Sequence, residues 1–465
     1  MADPPAADYK GFGKAGMLTF LLLFAVFLGC SGVDEPTNQP ESTRPNVVMI
    51  LVDTLRASNM SAYGYPRKTT PFIDSLLKHS VLFEKARSQA SCTFPSVNSI
   101  LTSRYASLFN KQEKGRMGIP DQYPTIAEIL RDSGYRTIAV SASPIVRKTP
   151  CEHNPFGGFD GGFDLFDESC LWRSAACINV KVFDLLKTTP QPFFFYLHFM
   201  DPHDRYNPPS KWNKRWAKGF KGAEFIQQGN PNPIAKMLYN DGPNVPSGPR
   251  EIAYLQDLYD EEIAFFDFQL KRLFDRFEQL GLLENTLFVL CSDHGEEFME
   301  HNHVKHCRGL WDTLTHVPLI FRFPGVEGGK RVETPVQNID IVPTLLDYTG
   351  IPAADFGFEG TSLRPLLEGL PTEDRFTYSS QGRQFSVANQ RYKLVLDMKT
   401  GAPGYILYDL EDDPGEQVNI FDRTRPESQL LGQKLRKWLK QMEGQTLDKA
   451  LEEDLKNQKE LRDLG

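Results

Sequence analysis

An apolar run over residues 47–52, closed by Asp53, limits what this chain can fold into more than any other feature. A strand without polar alternation has both faces in the core, as happens in parallel sheets covered by helices on either side. The same theme recurs along the chain. Residues 137–140, 193–199, 286–291 and 317–321 read as further strands. Thr125 and Glu128 have the capping-box spacing of a helix that stops at Gly134. Residues 252–280 carry apolar side chains at helical spacing up to Gly281. Strands separated by helices predict an α/β fold, with a large, mostly parallel sheet flanked by helices.

The character changes near residue 370. Residues 385–389, 392–397 and 405–410 read as short strands joined by turns, and 427–442 as one helix. This predicts a catalytic-sized domain over 45–370, a small C-terminal α+β subdomain over 371–442, and a charged helical tail over 443–465. At the other end, Lys10 and Lys14 precede an apolar stretch over 17–29 that ends at Cys30. Thirteen residues suit the h-region of a secretory signal better than a bilayer span. Residues 1–30 are read as a signal of lipoprotein type with Cys30 acylated; cleaved secretion and an uncleaved anchor are the alternatives. Residues 31–44, rich in Ser, Pro, Asn and acids, read as a flexible tether. Each outcome exports the domain, to the cell envelope or beyond, with a membrane contact through the N-terminal lipid in the first. The net charge of −8 argues against a nucleic-acid partner, which calls for a basic face. Export permits disulfides among the six remaining cysteines. Cys151–Cys170 or Cys170–Cys177 would make a local clip, and spacing alone does not decide the pairing.

Ligands of open α/β sheets collect at the carboxyl ends of strands. Asp53 follows the first strand, Asp293 and His294 follow the strand at 286–291, His198 sits near the end of 193–199, and His203 lies just beyond. Thr93 precedes Pro95 and Ser96 at a predicted helix start, where backbone N–H groups and the helix dipole favour an anion. Two carboxylates, an imidazole and a hydroxyl suit one divalent cation, and a cation lowers the pKa of the hydroxyl it touches. Singly, these residues have plainer explanations: strand-terminal aspartates are commonly turn or cap residues, and His198 in an aromatic strand reads as a core histidine.

The ordered motifs resemble the sulfatase family of the alkaline-phosphatase superfamily. Arg44 to Val48 running into Asp53-Thr54-Leu55-Arg56 is similar to the opening of sulfatases. Tyr63-Gly64-Tyr65, Thr70-Pro71 with Asp74, the stretch 199–209 with His203, and Ser292-Asp293-His294-Gly295-Glu296 also resemble family segments. So do residues 340–346, 407–410 and 413–416. The resemblance implies Asp53, Thr93, Asp293 and His294 as metal ligands. It also implies that His198, His203 and His306 lie on the substrate side, with His203 or His306 as general acid.

The departures bear on chemistry. Sulfatases carry Cys/Ser-x-Pro-Ser-Arg, whose first residue becomes formylglycine. Alignment on Pro95-Ser96 puts Thr93 at that position and Val97 at the arginine, with Cys92 one residue early, so no formylglycine is expected. A threonine sulfate ester lacks the collapse to an aldehyde that frees sulfate, whereas a threonine phosphate ester opens to water attacking phosphorus. Thr93 thus favours phosphoester or phosphodiester chemistry in a family of sulfate-ester hydrolases. One imidazole among oxygen donors favours Zn²⁺ or Mn²⁺, with Ca²⁺, the usual sulfatase ion, as the alternative. A second metal would call for a histidine four residues after Asp201, where Arg205 stands, so one ion is expected. The substrate is expected to be an anionic ester on a glycan or lipid head group. Arg147, Lys148 and the basic cluster at 211–221 read either as its cations or as solvated charge. Competing readings are an envelope phosphoryl transferase and a non-catalytic glycan-binding lipoprotein.

Overall fold

The computed structural model describes residues 44–106, 118–119, 122–154, 157–212, 215–217, 249–398 and 404–442. Cys30, the signal, the tether up to residue 43, the charged tail and most of the basic cluster at 211–221 lie outside them. Eight strands form the main sheet: β1 (Asn46–Val52), β2 (Val81–Phe83), β3 (Arg136–Ser141), β4 (Leu165–Asp167), β5 (Phe193–Phe199), β6 (Thr286–Ser292), β7 (Leu319–Arg322) and β8 (Lys330–Val332). Their order across the sheet is β8-β2-β7-β6-β1-β5-β3-β4. Every pairing is parallel except the two made by β7, which runs against β6 and β2. The short β2, β4 and β8 carry too few residues for a periodic signal, and the sequence did not announce them.

Every residue of β1 is buried because alternate side chains enter two different cores. Val48, Ile50 and Val52 pack with Ile178 and Val182 of helix α3 (Ala175–Leu185) and with Leu255, Leu258 and Ile263 of α4 (Pro249–Gln279). Val47, Met49 and Leu51 pack with Val97, Ile100 and Leu101 of α1 (Thr93–Thr102) and Ile126 and Leu130 of α2 (Ile126–Asp132). Val342 and Leu345 of α5 (Ile341–Thr349) complete that second face. The Thr125–Glu128 capping box forms reciprocally, so two N–H groups at the start of α2 are satisfied.

Beyond the main sheet, β9 (Thr377–Gln381), β10 (Gln384–Ala388), β11 (Tyr392–Asp397) and β12 (Gly404–Asp409) form an antiparallel meander. Phe385, Val387, Leu394, Leu396 and Leu407 pack on Leu431, Leu435 and Trp438 of α6 (Pro426–Met442). β9 reads Thr-Tyr-Ser-Ser-Gln and offered no apolar alternation to find. Of the two local clips considered, Cys170–Cys177 is the one formed. A second disulfide, Cys92–Cys307, joins residues 215 apart. Among the described residues no helix is long and apolar enough to cross a membrane.

Candidate active site

The registers of β1, β5 and β6 bring their carboxyl ends level. Val52 pairs with Phe199 on one side and Ser292 on the other, so Asp53, Asp293 and His294 emerge together. The turns that carry them are stapled to each other. Leu55 N–H donates to Ser292 Oγ at 3.0 Å, Ser292 Oγ–H to the His294 carbonyl at 2.7 Å, and Thr54 N–H to Asp293 Oδ1 at 3.2 Å. Tyr259 of α4 adds a brace: its hydroxyl donates to the Thr54 carbonyl at 2.7 Å and accepts from Arg56 N–H at 2.9 Å. Thr54 needs that support because its φ is 58°, a region costly for a β-branched residue.

One donor atom from each of Asp53, Asp293 and His294 lies within 4.8 Å of the others, and all three residues are buried. Nδ1 of His294 sits 2.9 Å from the Gly295 carbonyl, which fixes its proton there and turns the Nε2 lone pair inward. That Nε2 is 3.1 Å from Thr93 Oγ1, 3.4 Å from Asp293 Oδ2 and 3.8 Å from Asp53 Oδ1. Those two carboxylate oxygens are buried without a hydrogen-bond partner. Each would cost free energy if left so. Metal–ligand bonds of about 2.1 Å at tetrahedral angles set neighbouring donor atoms about 3.4 Å apart. The donor types, the spacing and the two orphaned oxygens fit a bound divalent cation.

Titration behaviour agrees. Burial works to raise the pKa of Asp53, yet His203, His198 and His294 outweigh it and hold the carboxylate well below its usual range. Asp293 is driven well above its usual range, by burial and then by the Asp53 charge. Two buried carboxylates this close repel, and a cation between them removes the conflict. Burial, then the neighbouring His306, pushes His294 down to about 3, leaving a neutral imidazole suited to ligation.

His198 is a correction. Expected on the substrate side, it is fully buried behind Asp53 and does not line the cavity. Its Nε2 is 3.2 Å from Asp53 Oδ2 and its Nδ1 2.9 Å from the Tyr196 hydroxyl. Both ring nitrogens are spent, which places His198 to orient Asp53. Arg147 is likewise committed, to Glu168 at 3.1 Å.

Thr93 opens α1 and lines a cavity of about 790 Å³ together with His203, Asp204, Lys305 and His306. His306 stands 4.5 Å, centroid to centroid, from the His294 ring and 5.2 Å from His203. Glu296, fully buried, takes His306 Nδ1–H at 3.0 Å and the Tyr206 hydroxyl at 3.0 Å, which leaves His306 Nε2 for the cavity. His203 Nδ1 lies 2.9 Å from Asp204 Oδ1. Burial alone would lower the pKa of His203, but Asp204 and Asp53 raise it to about 10. Lys305 and Cys307, on either side of His306, have φ of 69° and 70°, and the Cys92–Cys307 disulfide ties that turn to the residue preceding Thr93. With its sulfur so bonded, Cys92 offers no free thiol to the cavity.

Asp201 and Glu262, which also line the cavity, share a hydrogen bond, and burial lifts Asp201 to about 6 and Glu262 well above its usual range. Asp201 also accepts Ala175 N–H at 2.7 Å. Glu296, Asp204 and the second disulfide were not found from sequence. Glu296 lies inside the Ser292–Glu296 motif and Asp204 inside the stretch 199–209, so each had a signal, whereas the disulfide had none.

Residues 45–351 match the sulfatase family model. The chain belongs to the sulfatase family. Residues 300–445 further match a model of the C-terminal region of N-sulphoglucosamine sulphohydrolase. A sulfatase from Formosa agariphila is 25% identical, over 88% of this chain and 90% of its own. The fold is shared with a protein solved in complex with its substrate D-glucosamine-2-N,6-O-disulfate, at TM-score 0.66 and 19% identity, over 87% of this chain and 98% of that one. It is equally shared with a phosphonate monoester hydrolase of Agrobacterium radiobacter, at TM-score 0.66 and 20% identity, over 88% and 97%. This sulfatase-family hydrolase thus has structural neighbours that act on sulfate and on phosphonate esters.

Proposed function

We propose that this sulfatase-family hydrolase cleaves phosphate-type esters, monoester or diester, carried on an anionic glycan, with Thr93 as nucleophile. The observation that carries the reading is Thr93 Oγ1 at the cavity floor, 3.1 Å from the inward Nε2 of His294. Asp53, Thr93, Asp293 and His294 would hold one divalent cation, with Zn²⁺ or Mn²⁺ favoured by the imidazole. Such an ion supplies positive charge that acidifies the hydroxyl and neutralises the oxygens of the bound ester.

Thr93 Oγ1 attacks phosphorus from the start of α1, where the N–H groups at the helix terminus favour the anionic group. The bond from phosphorus to the departing oxygen breaks, and that oxygen takes a proton from His306 or His203. Thr93 gives its own proton to solvent as it attacks, and the histidine that protonated the departing oxygen is left neutral. Water then attacks the Thr93 phosphoester and gives a proton to the neutral histidine, the Thr93–phosphorus bond breaks, the Thr93 oxygen takes a proton back from solvent, and phosphate leaves, or a phosphomonoester where the substrate was a diester. A sulfate ester of Thr93 would stall here, because sulfur–oxygen cleavage by water lacks the aldehyde-forming exit of formylglycine.

The glycan comes from the relatives and neighbours, among them a complex with a disulfated glucosamine. Export to the cell envelope is part of the proposal; the two disulfides support an oxidising compartment. The test is turnover of aryl phosphate, phosphodiester, phosphonate and sulfate esters with Mn²⁺ or Zn²⁺. Phosphorus esters are expected to turn over repeatedly, with a loss of at least about 10⁴-fold in Thr93→Ala. Turnover that survives Thr93→Ala, or a clear preference for sulfate, would refute the reading.

A further inference from the structure

Thr93, His203 and His306 are the reacting groups that line the 790 Å³ cavity, and part of the remaining wall has no role in the chemistry above. Trp172 and Arg173 lie on that wall. Trp172 is 46% exposed, and of the exposed large apolar residues described it is the one that lines the cavity. Its φ is 55°, a left-handed conformation that bulky residues rarely adopt. The structure holds it there firmly. Trp172 N–H donates to the Ala142 carbonyl at 3.0 Å, Arg173 N–H to the Cys170 carbonyl at 2.8 Å, and the Cys170–Cys177 disulfide closes the loop that carries both. A strained backbone kept in place to display an indole to water is a feature of sites built for a ligand.

The indole is also well aimed. Its ring is 5.7 Å from His203 and 5.5 Å from His153, meeting His153 edge-on and lying tilted to His203. A leaving group protonated by His203 would lie beside Trp172, whose indole borders that ring. A sugar ring has an apolar face of C–H bonds and a polar rim, which suits an indole plane flanked by charged side chains. Arg173 is exposed, and its guanidinium has no side-chain partner among the described residues.

We propose that Trp172 and Arg173 form the leaving-group subsite, the sugar ring lying on the indole and an anionic substituent of that sugar meeting Arg173. This rests on the reading that Thr93 marks the position of the ester. It makes Trp172 and Arg173 specificity residues, and the preferred substrate a sugar with one anionic group besides the ester.

The experiment measures binding to the full chain loaded with Mn²⁺, by calorimetry. The probes are inorganic phosphate, a disaccharide whose hexuronate ring carries both the carboxylate and a 2-O-sulfate ester, and its carboxyl-reduced form; KM replaces Kd for any probe that turns over. Trp172→Ala is expected to weaken both disaccharides about tenfold and leave phosphate unchanged, with Trp172→Tyr retaining most of the affinity. Arg173→Ala is expected to weaken the uronate probe severalfold and spare the reduced one. Equal losses for phosphate and disaccharides in Trp172→Ala would mean that the indole only props His203, and would overturn the proposal. Unchanged disaccharide affinity would overturn it as well. Failure of phosphate to bind, with disaccharide binding still dependent on Trp172, would remove the Thr93 reading and leave the sugar platform standing.

Discussion

The buried cluster at the strand ends, a floor that reaches the active-site cavity through Thr93 and does not itself line it, and the wall of that cavity are built in different ways. Asp53, Asp293 and His294 leave the ends of adjacent parallel strands, are fully buried, and have most of their polar atoms fixed by backbone or buried side-chain bonds. His203, His306 and Trp172 are carried on loops and set by pairings with Asp204 and Glu296, by two disulfides and by left-handed backbone at Trp172, Lys305 and Cys307. The floor is a consequence of the fold. The wall depends on local chemistry that other members of a fold can vary, as loops on rigid scaffolds commonly do.

If that division is real, floor variants should lose metal and wall variants should keep it. His306→Ala is expected to lower kcat by about 10²- to 10⁴-fold, the usual worth of a positioned proton donor, with metal content unchanged. Loss of metal in that variant would break the division. His198→Ala tests the opposite side. With Asp53 no longer oriented, metal affinity should fall by about 10- to 100-fold while KM at saturating metal stays the same. An altered KM and intact metal affinity would return His198 to the substrate side.

The smallest effect separates the two candidate acids. His203 is held protonated to high pH by Asp204 and Asp53, against the effect of its burial. Removing one negative charge in Asp204→Asn lowers that pKa, so the ring gives up its proton at lower pH. The alkaline limb of the kcat–pH profile should therefore move to lower pH. A limb that stays in place would assign the proton donation to His306.

The floor was legible because its signals are local. A run of buried residues ending in Asp53, and Ser292-Asp293-His294-Gly295 after a second run, carry their strand-end positions in the sequence itself. His198 shows where that reasoning stops: it sits at a strand end too, but on the side of Asp53 away from the cavity, and only the bonds to Asp53 and Tyr196 reveal this. Wall partners depend on long-range meetings. Cys92 and Cys307 are 215 residues apart, and nothing in their spacing predicts that they bond. Trp172 lies between two cysteines whose pairing was one of two alternatives, and its exposure follows from a backbone turn that composition does not encode. In the C-terminal subdomain the apolar strands could be read, whereas the polar β9 is recruited by its neighbour β10 through backbone pairing.

Asp53, Thr93, Asp293 and His294 are proposed to hold one divalent cation at the Thr93 oxygen. Elemental analysis of the purified full chain, dialysed against Mn²⁺ or Zn²⁺ and then freed of loose ions, tests it most directly when wild type and Asp293→Ala are compared. One bound ion per chain in the wild type and none in the variant is the predicted result. An unchanged metal content in Asp293→Ala would contradict the ligand assignment and the chemistry built on it.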